Sequence, residues 1–506
     1  MDTRPPKPEA SAPPTAPLET LITQRREKLK TLAQKGINPY PYHFDRTHAI
    51  AALSKDFSGP LPEHGSDQTI RTAGRVMTVR DMGKSCFANI ADGPHRIQIY
   101  VKKDVVGEGP YQIFQKDTDI GDFIGVEGQM FRTKTNELSV RVTSFTMLAK
   151  SLRPLPEKWH GLKDVETRYR QRELDLISNP DIQSLFRRRS QLLQSIRQTL
   201  VSDGFLEVET PLLQAQAGGA AARPFETFHN ALQSKLYLRI ALELHLKRLL
   251  VGGLDRVFEI GRVFRNEGVD TMHNPEFTLL EAYQAYADYN DMMTLTEKII
   301  SEAAAACNGS DQLTLHNKPL SLKKPFARIT MTELFQKYAG MDVIQAWQSG
   351  RLREVAKTFN ISFEDKTPDH KIFDRIFDLK VKPHLWEPTF VLDYPVEISP
   401  LAKKHRSKPG LVERFELFIA GDEVANAYSE LNDPVDQRER MTRQAALKQK
   451  GDDEAETVDE AFLTALEHGM PPAGGLGIGI DRLVMLILGQ TSIREVILFP
   501  LLKPET

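Results

Sequence analysis

The sequence predicts an α+β protein in which a small antiparallel barrel precedes a larger antiparallel sheet flanked by helices. Three observations predict it. Roughly residues 68–150 alternate apolar and polar positions in short runs separated by turns at Met82-Gly83, Asp92-Gly93 and Thr135-Asn136. Two later stretches, 256–289 and 413–433, each read as paired strands around a polar, Gly-containing turn. Runs with helical spacing, such as 181–202, lie between these strand-rich blocks. A chain of 506 residues holds about two to four domains.

Taken in order, residues 1–17 are Pro-rich and poor in apolar side chains, so a disordered tail is expected. Leu18 to Lys35 reads as a basic helix stopped at Gly36, and it opens an N-terminal domain over 18–150. The alternating block suggests a small Greek-key barrel, with the OB-fold as the natural candidate. Arg75, Arg80, Phe87 and Gln98 fall on its strands, the mix of stacking and hydrogen-bonding groups with which such barrels read unpaired bases. Taken alone, an aromatic on a barrel strand is core more often than stacking platform. Residues 151–180 read as a hinge punctuated by Pro154 and Pro156. A helix over 181–202, stopped at Gly204, then precedes a strand ending at Pro211.

Composition narrows the class. Hydrophobic residues make up 40% and charged residues 26%, as in a water-soluble globular protein. The net charge of −2 means that any nucleic-acid contact must come from a local basic patch. Cys86 and Cys307 are too few for a disulfide framework and fit a reducing cytoplasm. No secretory signal and no run of about 18 apolar residues is found, so no membrane partner is expected.

Chemistry concentrates in the second half. In RVFEIGRVFRNEGVDTMHNPEFTLLEAYQAYADY (256–289), Glu259, Gly261, Val263, Arg265 and Glu267 share one strand face. Phe277, Leu279, Glu281 and Tyr283 share another on the returning strand. Such a face presents an arginine, an aromatic ring and carboxylates together, which suits an anion, a flat ring and a cation. The loop Gly218 to Phe225 permits close backbone approach, and Glu243 follows at a strand end or helix start, where an acid could meet an ammonium. In ERFELFIAGDEVANAYSELND (413–433), Glu416 and Glu423 can converge on a divalent cation, and Asn426, Tyr428 and Glu430 share a face. Glu423 has the wrong parity for that face, which predicts a bulge or irregular turn near Val424. Unaided, the same acids read equally as surface charge. Gly475, Gly477 and Gly479 alternate with apolar residues before a helix that begins near Asp481 and carries Arg482. No βαβ unit follows, which rejects a dinucleotide fold.

FRNEG followed by HNPEFT resembles motif 2 of the class II aminoacyl-tRNA synthetases, in a wording similar to the lysyl members of subclass IIb. The helix and strand over 181–213 are similar to motif 1, and 474–489 to motif 3. The resemblance spans about residues 20–503 and implies a catalytic domain over 181–506 with a class II antiparallel sheet, together with a helical insertion over 326–392.

By this resemblance Arg265 holds the α-phosphate and the amino-acid carboxylate, and Arg265 and Arg482 are the catalytic cations. Glu267, His273 and Asn274 join ATP, as do Glu423 and Asn426, while Phe277 and Arg482 sandwich adenine. Glu416 and Glu423 bind Mg²⁺. Gly219 and Glu243 receive the amino end of the substrate; Glu281, Tyr283 and Glu430 form an acidic pocket end for a lysine ε-ammonium, with Asn426, Tyr428 and Gly477 alongside. Arg80, Phe87, Gln98 and Glu137 read a U-rich anticodon.

The implied reaction is ATP-dependent attachment of L-lysine to tRNA(Lys) through a lysyl-adenylate, with AMP and pyrophosphate released, by a cytoplasmic homodimer. The implied acceptor atom is the 3′-hydroxyl. Four other readings are weighed against it. An aspartyl or asparaginyl enzyme would place a basic residue where Glu281 and Glu430 stand; a protein-lysylating ligase would lack the barrel; a non-catalytic RNA-binding scaffold would not retain the full ATP set. Secondary dinucleotide synthesis on the adenylate stays open. Leu242 and His245 depart from the family, in which proline and tyrosine are frequent at those places.

Overall fold

The computed structural model describes residues 17–62, 65–156, 162–449 and 457–505. The tail expected over 1–17 lies, but for Pro17, outside the described residues, as do 157–161 of the expected hinge. Two compact units are distinguished, Met1–Ser184 and Leu185–Thr506.

In the first unit, helix α1 (Leu18–Gln34) precedes five strands: β1 (Thr69–Asp81), β2 (Ser85–Asp92), β3 (His95–Lys102), β4 (Phe123–Arg132) and β5 (Leu138–Ala149). They close into a barrel in the order β1-β2-β3-β5-β4, antiparallel except for the parallel pair β3–β5. Helical turns over Lys103–Val106 and Glu108–Lys116 bridge β3 to β4. This is the Greek-key OB architecture. The alternation that predicted it is realised in burial: Ile97, Ile99 and Val101 fill the interior, while Arg96, Gln98 and Tyr100 face out. Two short helices, Val165–Arg170 and Arg172–Ser178, occupy the second half of the expected hinge. An ion pair from Arg168 to the buried Asp175 joins them, and Arg172 pairs with the same acid within the second helix.

The second unit is built on one eight-stranded sheet. Helix α2 (Pro180–Ser202) leads to β6 (Leu206–Glu207), α3 (Glu243–Val251), β7 (Arg256–Phe264), β8 (Glu276–Ala285) and α4 (Tyr289–Asn308). Then come β9 (Ala327–Thr330), β10 (Thr389–Pro395), β11 (Leu411–Ile419), β12 (Asp422–Ser429), β13 (Ala473–Gly479) and α5 (Ile480–Leu488). The sheet order is β9-β10-β11-β12-β13-β8-β7-β6, with parallel pairs only at the two edges. Helices α2, α4 and α5 cover one face: Leu192, Ile196, Leu200, Ile299 and Ile300 pack with Phe258, Leu280, Ala427 and Ile478. Each such fully buried aliphatic contributes roughly 1.5–3 kcal/mol. The opposite face carries the charged and aromatic residues singled out above.

Two expectations are corrected here. The strand expected up to Pro211 is only Leu206–Glu207, because Thr210 turns inward and both its amide and its hydroxyl donate to Glu259 (3.0 and 2.7 Å). The insertion expected to be helical over 326–392 is helical from Met331 to Lys380. Its ends pair with each other as the edge strand β9 and its neighbour β10, whose short runs carry no helical period.

Candidate functional site

The open face of the sheet floors a cavity of about 640 Å³ lined from β8, β10, β11, β12 and β13, from Arg265 just past β7 and from the loop at Gly219–Ala221. Pairing explains why distant segments meet there. Glu259 faces Glu281 and Val263 faces Phe277 across β7–β8, Glu281 faces Gly477 across β8–β13, and Asn426 faces Gly477 across β12–β13. Between β11 and β12 the register slips so that Phe418 pairs with Glu423 while Leu417 pairs with Ala425. Val424 is thus the extra residue of a bulge, as parity required, and Glu423 turns toward the face that carries Glu416 and Asn426.

At one end the cavity is acidic and closed. Glu281 is buried; its Oε1 accepts the Leu242 amide at 3.1 Å and its Oε2 the Tyr283 hydroxyl at 2.9 Å. Burial, reinforced by the nearby Glu243, pushes its carboxyl up to about 7. Glu243 opens α3 and accepts the Lys247 ammonium at 2.6 Å and the Tyr428 hydroxyl at 2.5 Å. Lys247, wholly buried, also pairs with Glu430. Burial opposes its charge, but the two carboxylates outweigh that and its pKa is pushed up to about 12.

Glu430 corrects the expectation of a pocket-end acid. It lies beneath the floor, not among the lining residues, because Lys247 draws it inward. Its Oε1 stands where a Cβ on Gly475 would come within 1.8 Å, and Tyr283 within 2.5 Å of the same point. Gly475 is therefore bare to admit the chain's own acid and tyrosine, whereas a Cβ at Gly477 would meet nothing closer than the Asn426 carbonyl at 3.7 Å; both glycines line the cavity. Glu430 Oε1 has no hydrogen-bond partner among the described residues. Burial raises its carboxyl above the ordinary range; Glu243 adds to the rise and Lys247 opposes it.

The other end is cationic and more open. Arg265 lies just past β7 with its guanidinium 5.2 Å from the Phe277 ring centre, and its buried Nε has no hydrogen-bond partner among the described residues. Arg482, in the first turn of α5, donates to the Glu423 carbonyl at 3.1 Å and lies 3.2 Å from His273 Nε2. His273 leans on Asp270 at 2.9 Å. Glu267 lines the cavity and is exposed. Asn274 also lines it, but its amide donates to the Glu276 carbonyl (2.6 Å) and its oxygen accepts the Leu501 amide (3.3 Å).

Glu416 accepts Arg414 at 2.6 Å and Tyr394 at 2.9 Å. Burial and then Glu423 push its carboxyl up to about 7, the signature of a like-charge pair that a cation would relieve. Among the described residues no three acid, imidazole or thiol groups are grouped to hold a metal by themselves. Two carboxylates suit Mg²⁺ only together with substrate phosphates, which is how that ion is commonly held.

On the barrel, Arg80 pairs across from Phe87, and Phe87 from Tyr100, whose rings are 4.7 Å apart. Phe131 extends the row at 6.0 Å from Tyr100, with Arg141 4.8 Å over its ring. Gln98 donates to Glu137 at 2.9 Å and accepts Ser139 at 2.9 Å. Phe87 is thus half-buried on the outer face, not core. Arg75 does not join this group: its guanidinium lies 4.2 Å over Phe123 and donates to the Gly121 carbonyl.

A family model described as tRNA synthetases class II (D, K and N) matches residues 164–503, and one described as an OB-fold nucleic acid binding domain matches 70–148. The lysine–tRNA ligase of Moorella thermoacetica is 52% identical over 485 residues, 96% of this chain and 98% of its own. Those of Thermoanaerobacter sp. strain X514 (51%, 97% of each chain) and Nostoc sp. strain PCC 7120 (52%, 96% and 88%) are comparable. The chain belongs to the class II tRNA synthetases.

Several residues that shape this synthetase's cavity were not singled out in the sequence. Lys247 stands four residues after Glu243, the i,i+4 spacing of a helical ion pair, a signal that was available. Arg414 shares Glu416's strand parity and binds Asn426 (3.0 Å) besides Glu416. On the barrel, and not in the lining of this cavity, Tyr100, Phe131 and Arg141 likewise follow from alternation. Arg239 had no local signal: it pairs with Glu259 at 2.6 Å, filling the space that Gly261 leaves, where a Cβ would come within 2.2 Å of its guanidinium. Leu242 gains meaning from the structure, since a proline there could not donate the amide that holds Glu281.

Proposed function

We propose that this synthetase activates L-lysine with ATP and transfers it to tRNA(Lys), acting as a cytoplasmic homodimer. One observation carries the reading. The closed end of the cavity sets three buried carboxylates, Glu243, Glu281 and Glu430, against a single resident ammonium, Lys247. Lysine brings two ammonium groups to that surplus. Aspartate would add a further carboxylate, and asparagine would leave buried charge uncompensated. The lysine–tRNA ligases at about 52% identity support the same choice.

In this reading Gly219 and Glu243 take the α-amino group. Glu281, held by Tyr283, takes the ε-ammonium with Glu430 behind it, and Tyr428, Asn426 and Gly477 border the stem. Arg265, whose Nε lacks a partner, takes the substrate carboxylate and the α-phosphate. Phe277 and Arg482 enclose adenine, which requires Arg265 to leave its place over the Phe277 ring, and Glu267, His273 and Asn274 border the nucleotide. Glu416 and Glu423 would hold Mg²⁺, which when bound would neutralise phosphate charge.

A lysine carboxylate oxygen bonds to the α-phosphorus as the bond to pyrophosphate breaks. Arg265 and Arg482 offset the charge that develops, so positioning and electrostatics carry the rate and no side-chain nucleophile is needed. The tRNA 3′-hydroxyl then attacks the adenylate carbonyl and AMP leaves.

The aromatic row at Phe87 is assigned to anticodon stacking, and the exposed Val201, Leu206, Leu212 and Leu213 to the dimer contact. The test is transfer of radiolabelled amino acids to unfractionated tRNA. Label from lysine is expected in tRNA, and Phe87→Ala should lower that transfer roughly tenfold or more, the loss of one stacked base, with adenylate formation unchanged. Lysine-dependent ATP–pyrophosphate exchange without transfer to any tRNA would instead favour a protein acceptor.

A further inference from the structure

No step above uses Lys247, yet it is the most completely enclosed cation at the closed end of the cavity. Its ammonium reaches Glu243 at 2.6 Å, one helical turn before it, and pairs with Glu430, which follows β12. The rings of Tyr428 and Phe462 stand 5.5 and 5.9 Å from it, so no water-exposed side is left. A pair serving the fold alone would need one carboxylate, and an apolar residue there would serve as well, since buried ion pairs are poor sources of stability. Here one ammonium is divided between two acids that come from different elements. Glu243 lines the cavity; Glu430 lies just under Gly475, with one oxygen unpartnered.

We propose that Lys247 is a specificity-determining positioning residue: its one ammonium, bound to Glu243 and to Glu430, holds both acids in place and so fixes the acidic surface open to substrate. Three carboxyl groups set around one ammonium leave an acidic excess at the closed end, which the α- and ε-ammonium groups of lysine can meet. Without Lys247 the two acids lose the group that holds them apart and aimed, and an acid out of place no longer distinguishes an ammonium from a methyl group. Lys247 thereby acts through the acids and does not touch the substrate. This inference rests on the lysine reading above.

The test is ATP–pyrophosphate exchange with L-lysine and with L-2-aminohexanoic acid, which has the same chain length but lacks the ε-ammonium. The readout is the ratio of kcat/KM for the two, which is independent of how much of a preparation is folded. Lys247→Met is expected to lower the lysine preference at least tenfold, with the KM for ATP within about twofold of wild type. Lys247→Gln keeps a donor and drops the charge; it should lower the ratio similarly, and it replaces Lys247→Met if that variant does not accumulate. A ratio within twofold of wild type in the variants would overturn the proposal. Absence of lysine preference in the wild-type enzyme would overturn the lysine reading itself, before any variant is compared.

Discussion

The two ends of the cavity are built on opposite principles. At the closed end the acids are almost fully engaged by the protein: Glu281 by Leu242 and Tyr283, Glu243 by Lys247 and Tyr428, Glu430 by Lys247. At the open end the cations have few internal partners: Arg265 lies against Phe277 with its Nε unbonded, and Arg482 is held mainly by a carbonyl and a half-exposed histidine. A buried end of fixed hydrogen bonds suits a small substrate chosen by charge count. An open end with cations in reserve suits a large polyanion whose charge grows during reaction.

The sharpest way to break this comparison is at the open end. Arg265→Ala removes a cation aimed at developing charge and should lower the exchange rate roughly 10²- to 10³-fold. A loss confined to the KM for ATP would make Arg265 a binding group only. At the closed end, Glu430→Gln removes a charge beneath the floor. It should raise the KM for lysine roughly tenfold or more, the worth of a charged hydrogen bond, while sparing the KM for ATP. Equal effects on both would merge the two ends.

The smallest effect sharpens the comparison most. Because Glu281 titrates near 7 in the free enzyme and must be ionised to take an ammonium, kcat/KM for lysine should rise with pH through about 7. Glu281→Gln should remove that rise. Leu242→Pro, by deleting one hydrogen bond to the ionised form, should move the midpoint up by about one pH unit. The sign for stability is opposite. Folding raises this pKa, so its stabilising contribution is full below the ordinary carboxylate range and is lost as pH rises through about 7. Urea unfolding at pH 5 and 8 should therefore show Glu281→Gln relatively more stable than wild type at pH 8.

Strand alternation made the fold and much of the site legible. The face on which Glu259 and Val263 meet Glu281 and Phe277, and the bulge at Val424, both followed from period-two parity, because pairing register converts parity directly into position; Arg265 and Glu267, expected on the same strand face, lie past the end of β7. What parity does not report is depth. Glu430 falls on the predicted face yet lies under the floor, because a lysine on another element draws it there and a glycine leaves it room. Arg239 was hidden for the same reason, its partner Glu259 being twenty residues away. At 326–392, the short edge strand β9 and the start of β10 were absorbed into the helices beside them.

The most direct measurement is ATP–pyrophosphate exchange with each of the twenty amino acids tested singly in the presence of Mg²⁺. The three buried acids set against Lys247 predict exchange with lysine and with no other amino acid at comparable concentration. Exchange driven by aspartate, asparagine or a neutral side chain would contradict the charge match on which the account rests.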